Sequence, residues 1–323
     1  MKVIAFVSIY VFIILESLRL RISWRMLLIL SIFYMIMLRL GGFYGDFQVY
    51  LYEMTTGWDS FYYIREPLYW IGSKTLYSLI GNEQVVIFLY DVFFVFYLLK
   101  SAKEINSKFI FLALMVSFPV FLGVENVYRQ VLGLPFFLIY THRALSSRGL
   151  SSLIYLVIAG LFHNSYFLYW PFIFFSAAFL SNNLKIIIIF FISILVPFLF
   201  IVFLFDISTL GKSSPQSTGL DLRLVYGFTI FLVFSIPIIL KYSLLMKWFL
   251  LHYILFFLFF FSIFTMGEAQ AERVSMQLLV VSFYAYFYLS NEYSWDSSVM
   301  KVLFFIIMCV PVFVFPSTAN IVF

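Results

Sequence analysis

Apolar residues run along this chain in blocks of about helix length, and polar residues are confined to the gaps between them. A hydrocarbon core of about 30 Å takes about 20 mostly apolar residues as a helix, fewer where flanking side chains snorkel to the interface. On that ruler the blocks at 3–18, 24–38, 85–99, 109–124, 131–140, 150–162, 166–180, 185–205, 224–240, 247–265, 274–289 and 299–316 predict about 12 transmembrane helices. The block at 67–80 is short and carries Lys74. It reads as an interfacial or re-entrant helix, and such backbone is tolerated at membrane depth only where protein or a water-filled cavity surrounds it. The pattern therefore predicts an all-α polytopic integral membrane protein, a single transmembrane domain over 1–323.

Composition agrees with that reading and charge orients it. The chain is 64% hydrophobic and 11% charged, with 45 Phe and 23 Tyr, and its mean hydropathy is +1.05, far from the soluble range. The net charge of +5 does not imply a nucleic-acid face, because the basic residues sit at block ends and form no stripe. Under the positive-inside bias, Arg19, Arg21, Arg25, Lys100, Lys103, Lys108, Arg143, Arg148, Lys185, Lys241, Lys247 and Lys301 are expected to be cytoplasmic. Segments 39–84 and 206–223 then fall outside, together with 123–130, the His163 corner and 266–273. The first block is followed by Arg19 and Arg21 with no small-residue cleavage pattern, so it is expected to stay as the first span. The single cysteine, Cys309, excludes an intrachain disulfide and a thiolate metal cluster. Prolines inside six blocks, Pro119 and Pro135 among them, predict local kinks. The polar loop at 206–222 has the length of a mobile flap.

One polar interruption stands apart. Residues 39–69 read RLGGFYGDFQVYLYEMTTGWDSFYYIREPLY and set Arg39, Asp46, Glu53, Asp59, Arg65 and Glu66 among tyrosines. An arginine at membrane depth costs at least about 2.5–3.5 kcal/mol unless paired or wet. Arg129 therefore reads either as an anion site, with a guanidinium fork suited to phosphate oxygens, or as an interfacial anchor or a structural salt bridge to Glu125 or Glu66. Glu66 precedes Pro67, which places it at a helix N-terminus as a general base or as a capping charge. Asp46 offers a second carboxylate. His163, in FHNS at a tight corner, reads as a proton carrier, a hydrogen-bond donor or a satisfied turn residue. Glu272 and Arg273 read most simply as an internal salt bridge. His142 and His252 fall on the opposite side from His163, so no histidine cluster for a metal is expected. Nucleotide-binding and zinc-protease motifs are absent from the sequence.

In order along the chain, Arg39 closes the second block, Gly45, Asp46 and Tyr50 form G-D-x-x-x-Y, and Glu66 to Tyr69 read E-P-L-Y. Asn126, Arg129 and Gln130 then form N-x-x-R-Q, and His163 and Ser165 form H-x-S. This series resembles the EpsG family of bacterial exopolysaccharide and O-antigen polymerases, the Wzy-type enzymes, with Phe47 where that pattern has tyrosine. The resemblance runs over 39–171. It implies a GT-C-like glycosyltransferase of the inner membrane, active on the periplasmic face, for lipopolysaccharide or exopolysaccharide biosynthesis. The growing glycan on undecaprenyl pyrophosphate is the implied donor, and a single lipid-linked repeat unit the acceptor. Glu66, Asp46 and His163 are then the expected catalytic residues. Arg39, Arg129, Gln130, Arg273 and Asn126 are expected at the pyrophosphate, with Tyr50, Tyr69 and Trp70 against sugar faces. No cofactor is expected, and a bridging divalent metal is the less favoured alternative, since the outer acids lack a ligand spacing. A chain-length regulator and a flippase are the implied partners. Two other readings stand beside it. One is a lipid-linked sugar or polysaccharide transporter, for which Asp91 is the only ionisable residue placed well inside a block. The other is an outer-facing acyl or sugar-modifying transferase that uses His163 and would require an activated acyl donor.

Overall fold

The computed structural model describes residues 8–9, 22–40, 42, 47–56, 66–125, 127–146, 149–172, 226–227, 230–231, 235, 245–266, 268–294 and 297–314. Among the described residues every regular element is helical. The expected first span at 3–18, the spans at 185–205 and 224–240 for the most part, the loop at 206–223, and Asp46, Arg65 and Asn126 lie outside the described residues.

The helices follow the apolar blocks closely, and local chemistry marks their ends. Helix α1 (Trp24–Leu40) is the second block. Helix α2 (Phe47–Thr55) is an addition, set inside the polar interruption. Helix α3 (Pro67–Ile80) is the predicted short element: Pro67 occupies its first turn, where a missing N–H costs nothing. It ends at Gly81, whose φ of 71° allows the N–H to reach the Tyr77 carbonyl. Lys74, the charge that argues against a full span at 67–80, donates to the Thr56 carbonyl at 2.6 Å, at the end of α2.

Helix α4 (Glu83–Glu104) starts at Asn82, whose side chain accepts from the Gln84 and Val85 N–H groups. The expected span at 109–124 is two helices, α5 (Lys108–Met115) and α6 (Phe118–Glu125). They meet at 48°. Pro119 lies in the first turn of α6, where it cannot continue a hydrogen-bond ladder from α5. Helix α7 (Tyr128–Leu145) takes in Pro135. A 3-10 turn (Gly149–Ser152) leads into α8 (Leu153–Phe162). The next block begins as a 3-10 stretch (Asn164–Phe172) where an α-helix is expected. Helices α9 (Leu245–Thr265) and α10 (Glu268–Glu292) follow, and α11 (Ser298–Phe304) runs through a π-helical turn (Phe305–Cys309) into α12 (Pro311–Val314).

The described residues gather into two compact units. The first takes in those up to Ile139, Ile154–Phe167 and those from Phe287 onward; the second takes in Tyr140–Leu153 and those from Leu168 to Tyr286. In the first unit α1 and α3 lie against α4, α2 lies against α3, and α11 with its π turn returns to the α5–α6 pair. There Phe109 meets Phe287 and Phe304 at 5.5 and 6.1 Å. The buried Cys309 Sγ faces the Ala113 carbonyl at 3.8 Å. In the second unit the Tyr140 hydroxyl donates to the Trp170 carbonyl at 2.9 Å. The Tyr169 hydroxyl donates to Gln277 Oε1 at 3.0 Å.

The core of the first unit is built largely of apolar residues, and several outward faces are apolar too. Leu27, Met35, Val86, Ile87, Phe94 and Leu98 are buried. Ile29, Phe33 and Leu40 on α1, and Val85, Leu89 and Phe96 on α4, are exposed. Among the described residues α4 is the one helix long and apolar enough by itself to cross a bilayer. The bent α5–α6 pair is a second such crossing if both halves form one span.

Candidate active site

The first unit assembles its charged residues at helix ends. Glu66 is the N-cap of α3, with φ −140° and ψ 65°, outside the α region that a following proline disfavours. Its side chain makes no capping bond to α3. Its carbonyl accepts from the Trp70 N–H, and its carboxylate turns away and accepts through Oε2 from Arg129 Nη1. Glu66 thus stands at the N-terminus of α3 without a side-chain capping bond, and the salt bridge foreseen between Arg129 and Glu66 is present.

Arg129 stands in the first turn of α7. Its guanidinium lies over Trp70 at 5.0 Å and over Tyr50 at 5.5 Å. Those rings also contact each other and Tyr69: Tyr69 is 5.0 Å from Trp70 and 5.6 Å from Tyr50. All three are buried. Tyr50 and Trp70, assigned from sequence to sugar faces, here lie beneath a cation and meet each other and Tyr69 at steep angles, and cation–π attraction holds the charge of Arg129. The Arg129 side chain keeps 16% of its surface exposed while that of Glu66 keeps 7%. The pair is thus open on the arginine edge.

His163 completes the group from the end of α8. Its Nε2 is 3.7 Å from Glu66 Oε1. Its Nδ1 faces the Ser165 hydroxyl at 2.8 Å and the Ser165 N–H at 3.4 Å. A backbone N–H can only donate, so Nδ1 is the acceptor and a neutral ring carries its proton on Nε2, towards Glu66. Gln130 is buried beside Arg129, and its carbonyl accepts from the Tyr166 hydroxyl at 2.7 Å. Gly133, one turn further, lets α7 come close to this corner, since an added Cβ would stand 2.5 Å from Tyr166 Cε2 and 2.9 Å from the Ala159 carbonyl.

Sequence reasoning pairs neither Asp91 nor Tyr128 with anything, yet both border the site. Asp91, fully buried on α4, receives Arg39 Nε at 2.6 Å and Nη2 at 2.8 Å. It also accepts from the Tyr128 hydroxyl at 2.7 Å. Arg39 lies over Phe47 at 4.5 Å and over Tyr128 at 5.3 Å. The signal that finds this cluster is elementary: an acid deep in an apolar block needs a partner, and Arg39 closes the neighbouring block. Arg273 belongs to the second unit, half-buried on α10. Among the described residues no three His, Cys, Asp or Glu side chains gather as a metal-ligand set.

These features define an all-α protein whose first unit holds a carboxylate, a guanidinium and an imidazole at converging helix ends, walled by aromatic rings. The chain belongs to the EpsG family, whose model matches residues 22–321 and which is associated with Wzy-type polysaccharide polymerases. No curated protein and no solved structure matches it.

Proposed function

We propose that this chain is a multi-pass glycosyltransferase of the bacterial cytoplasmic membrane. It joins undecaprenyl-pyrophosphate-linked oligosaccharide repeat units into O-antigen or exopolysaccharide on the periplasmic face, in a GT-C-like arrangement. Family membership supports the polymerase theme. Apolar residues exposed at helical spacing on α1 and α4 support a lipid environment. The observation that carries the chemistry is the meeting of Glu66, Arg129 and His163.

In the reaction the acceptor hydroxyl oxygen bonds to the donor's anomeric carbon, and the bond from that carbon to pyrophosphate breaks. The lipid pyrophosphate leaves with the electron pair. Glu66 takes the acceptor's proton as general base, and Arg129 meets the charge that develops on the leaving oxygens. His163 Nε2–H faces the other carboxylate oxygen and holds its orientation. Arg129 rather than Arg39 is given the anion, because the fork of Arg39 already meets both oxygens of Asp91. The activated bond arrives with the lipid, so neither nucleotide nor redox chemistry is needed. The transport alternative rests on Asp91 as an ionisable group along a path, and its carboxylate is occupied by Arg39 and Tyr128.

In a polymerase-deficient strain, Arg129→Ala and Glu66→Gln are expected to accumulate carrier lipid bearing single repeat units, with no ladder on a glycan gel. A normal ladder from both well-expressed variants sinks the assignment of the site. Purified chain that extends lipid-linked glycan in detergent separates a polymerase from a transporter.

A further inference from the structure

Helix α6 ends at Glu125 and α7 begins at Tyr128, and that break delivers Arg129 to the site. Both sides of it lead to one carboxylate. On the near side, Arg39 Nη1 and Nη2 each lie 3.3 Å from the Val124 carbonyl, in the last turn of α6. On the far side, the Tyr128 hydroxyl donates to Asp91 Oδ1 at 2.7 Å and approaches the Ile87 carbonyl at 3.1 Å, both on α4. Asp91 receives Arg39 and Tyr128 together and is itself fully buried. The Tyr128 ring is further held by Phe47 at 4.9 Å and by Tyr69 at 6.1 Å.

Tyr128 and Arg129 are consecutive in the first turn of α7, so fixing the height and rotation of one fixes where the other projects. A buried ion pair contributes little to stability compared with an apolar filling of the same space. A geometric role is the better reason for charge at this point. Resting on the reading of Arg129 as the anion site, we propose that Asp91 is a positioning residue: through Arg39 and Tyr128 it clamps both sides of the α6–α7 break and aims Arg129 at the pyrophosphate.

The test is a double-mutant cycle between Tyr128→Phe, which removes only the clamping hydroxyl, and Arg129→Ala. It is read as kcat for extension of lipid-linked glycan and as affinity for farnesyl pyrophosphate. Tyr128→Phe alone is expected to lower kcat about ten- to a hundredfold, the cost of a misplaced catalytic group, and to weaken farnesyl pyrophosphate binding several-fold. In the Arg129→Ala background it is expected to cost nothing further, because the residue it aims is gone. Full activity of Tyr128→Phe, or equal losses in both backgrounds, overturns the proposal. Should Tyr128→Phe not fold, Arg39→Lys serves in the same cycle, since it keeps the charge opposite Asp91 and removes the fork that reaches Val124. A wild-type chain that binds farnesyl pyrophosphate but extends no glycan sinks the polymerase reading, and the binding cycle then decides the positioning alone. A wild-type chain that does neither overturns both.

Discussion

Arg129 and Glu66 face each other, so each holds the other's chemistry in check. A carboxylate bound to a guanidinium is a poor base, and a guanidinium bound to a carboxylate is a weaker anion trap. A phosphate oxygen reaching the open edge of Arg129 competes with Glu66 for the same donors and leaves the carboxylate to His163. Glu66→Gln is therefore expected to bind polyprenyl pyrophosphate more tightly than the wild type while losing turnover. Binding and polymerisation assays on one preparation check that split, and a variant with weakened binding counts against the competition. Arg129→Lys keeps the charge but not the fork, and its rate is expected to fall about tenfold or more, since a bidentate site is not conserved by lysine. The individual residues Glu66, Arg129 and His163 were legible in the sequence, because charge is rare in an apolar chain and Pro67 sets the backbone of its neighbour. Their partners were harder to read. Asp91 lies 52 residues from Arg39 and Tyr128 lies 37 from Asp91, and no local spacing reports contacts made across helices.

At the scale of elements, apolar length located the helices and special residues placed their ends. The break between α5 and α6 and the short helix α3 both follow from a proline, and Asn82 and Ser107 start the helices they precede. The helix α2 was not legible, since its sequence FQVYLYEMT mixes apolar and polar residues within nine positions. Its order follows from packing on α3 and α4, and tertiary contact decides such short segments more than propensity does. Close approach of elements likewise depends on single residues. Gly133→Ala places a methyl group against the Tyr166 ring and the Ala159 carbonyl. It is expected to cost about 1–3 kcal/mol by overpacking, read as a lower melting temperature in detergent. Activity should fall with it, because α7 carries Arg129. An unchanged melt means that α7 and α8 pack less closely than these distances state.

At the scale of the whole molecule, the family match spans residues of both units, and the first unit has two chemically distinct ends. At one, Lys103 and Lys108 each lie 5.8 Å from the Trp24 ring. Lys100 lies 5.5 Å from Tyr97, and Lys301 lies 5.5 Å from Phe109. At the other, Arg39 meets Asp91. From Trp24 to Arg39 along α1 is about 22 Å, and from Lys103 back to Asp91 along α4 is about 18 Å. The two helices thus run antiparallel, with lysines and aromatic rings at one end and the paired charges towards the other, each span short of a bilayer's hydrocarbon thickness. The proposed chemistry thus lies away from the lysine end, and the sidedness proposed from the basic residues would put it on the periplasmic face. The arrangement can be read directly, since the one cysteine is buried and Cys309→Ala gives a background without thiols. Tyr52→Cys, at a position 66% exposed on α2, is expected to react with a membrane-impermeant maleimide in intact cells. Lys103→Cys, exposed at the lysine end, is expected to react only after the membrane is opened. Labelling of Lys103→Cys in intact cells, with Tyr52→Cys protected, inverts the topology and moves the proposed site to the cytoplasm, where a periplasmic polymerisation cannot take place.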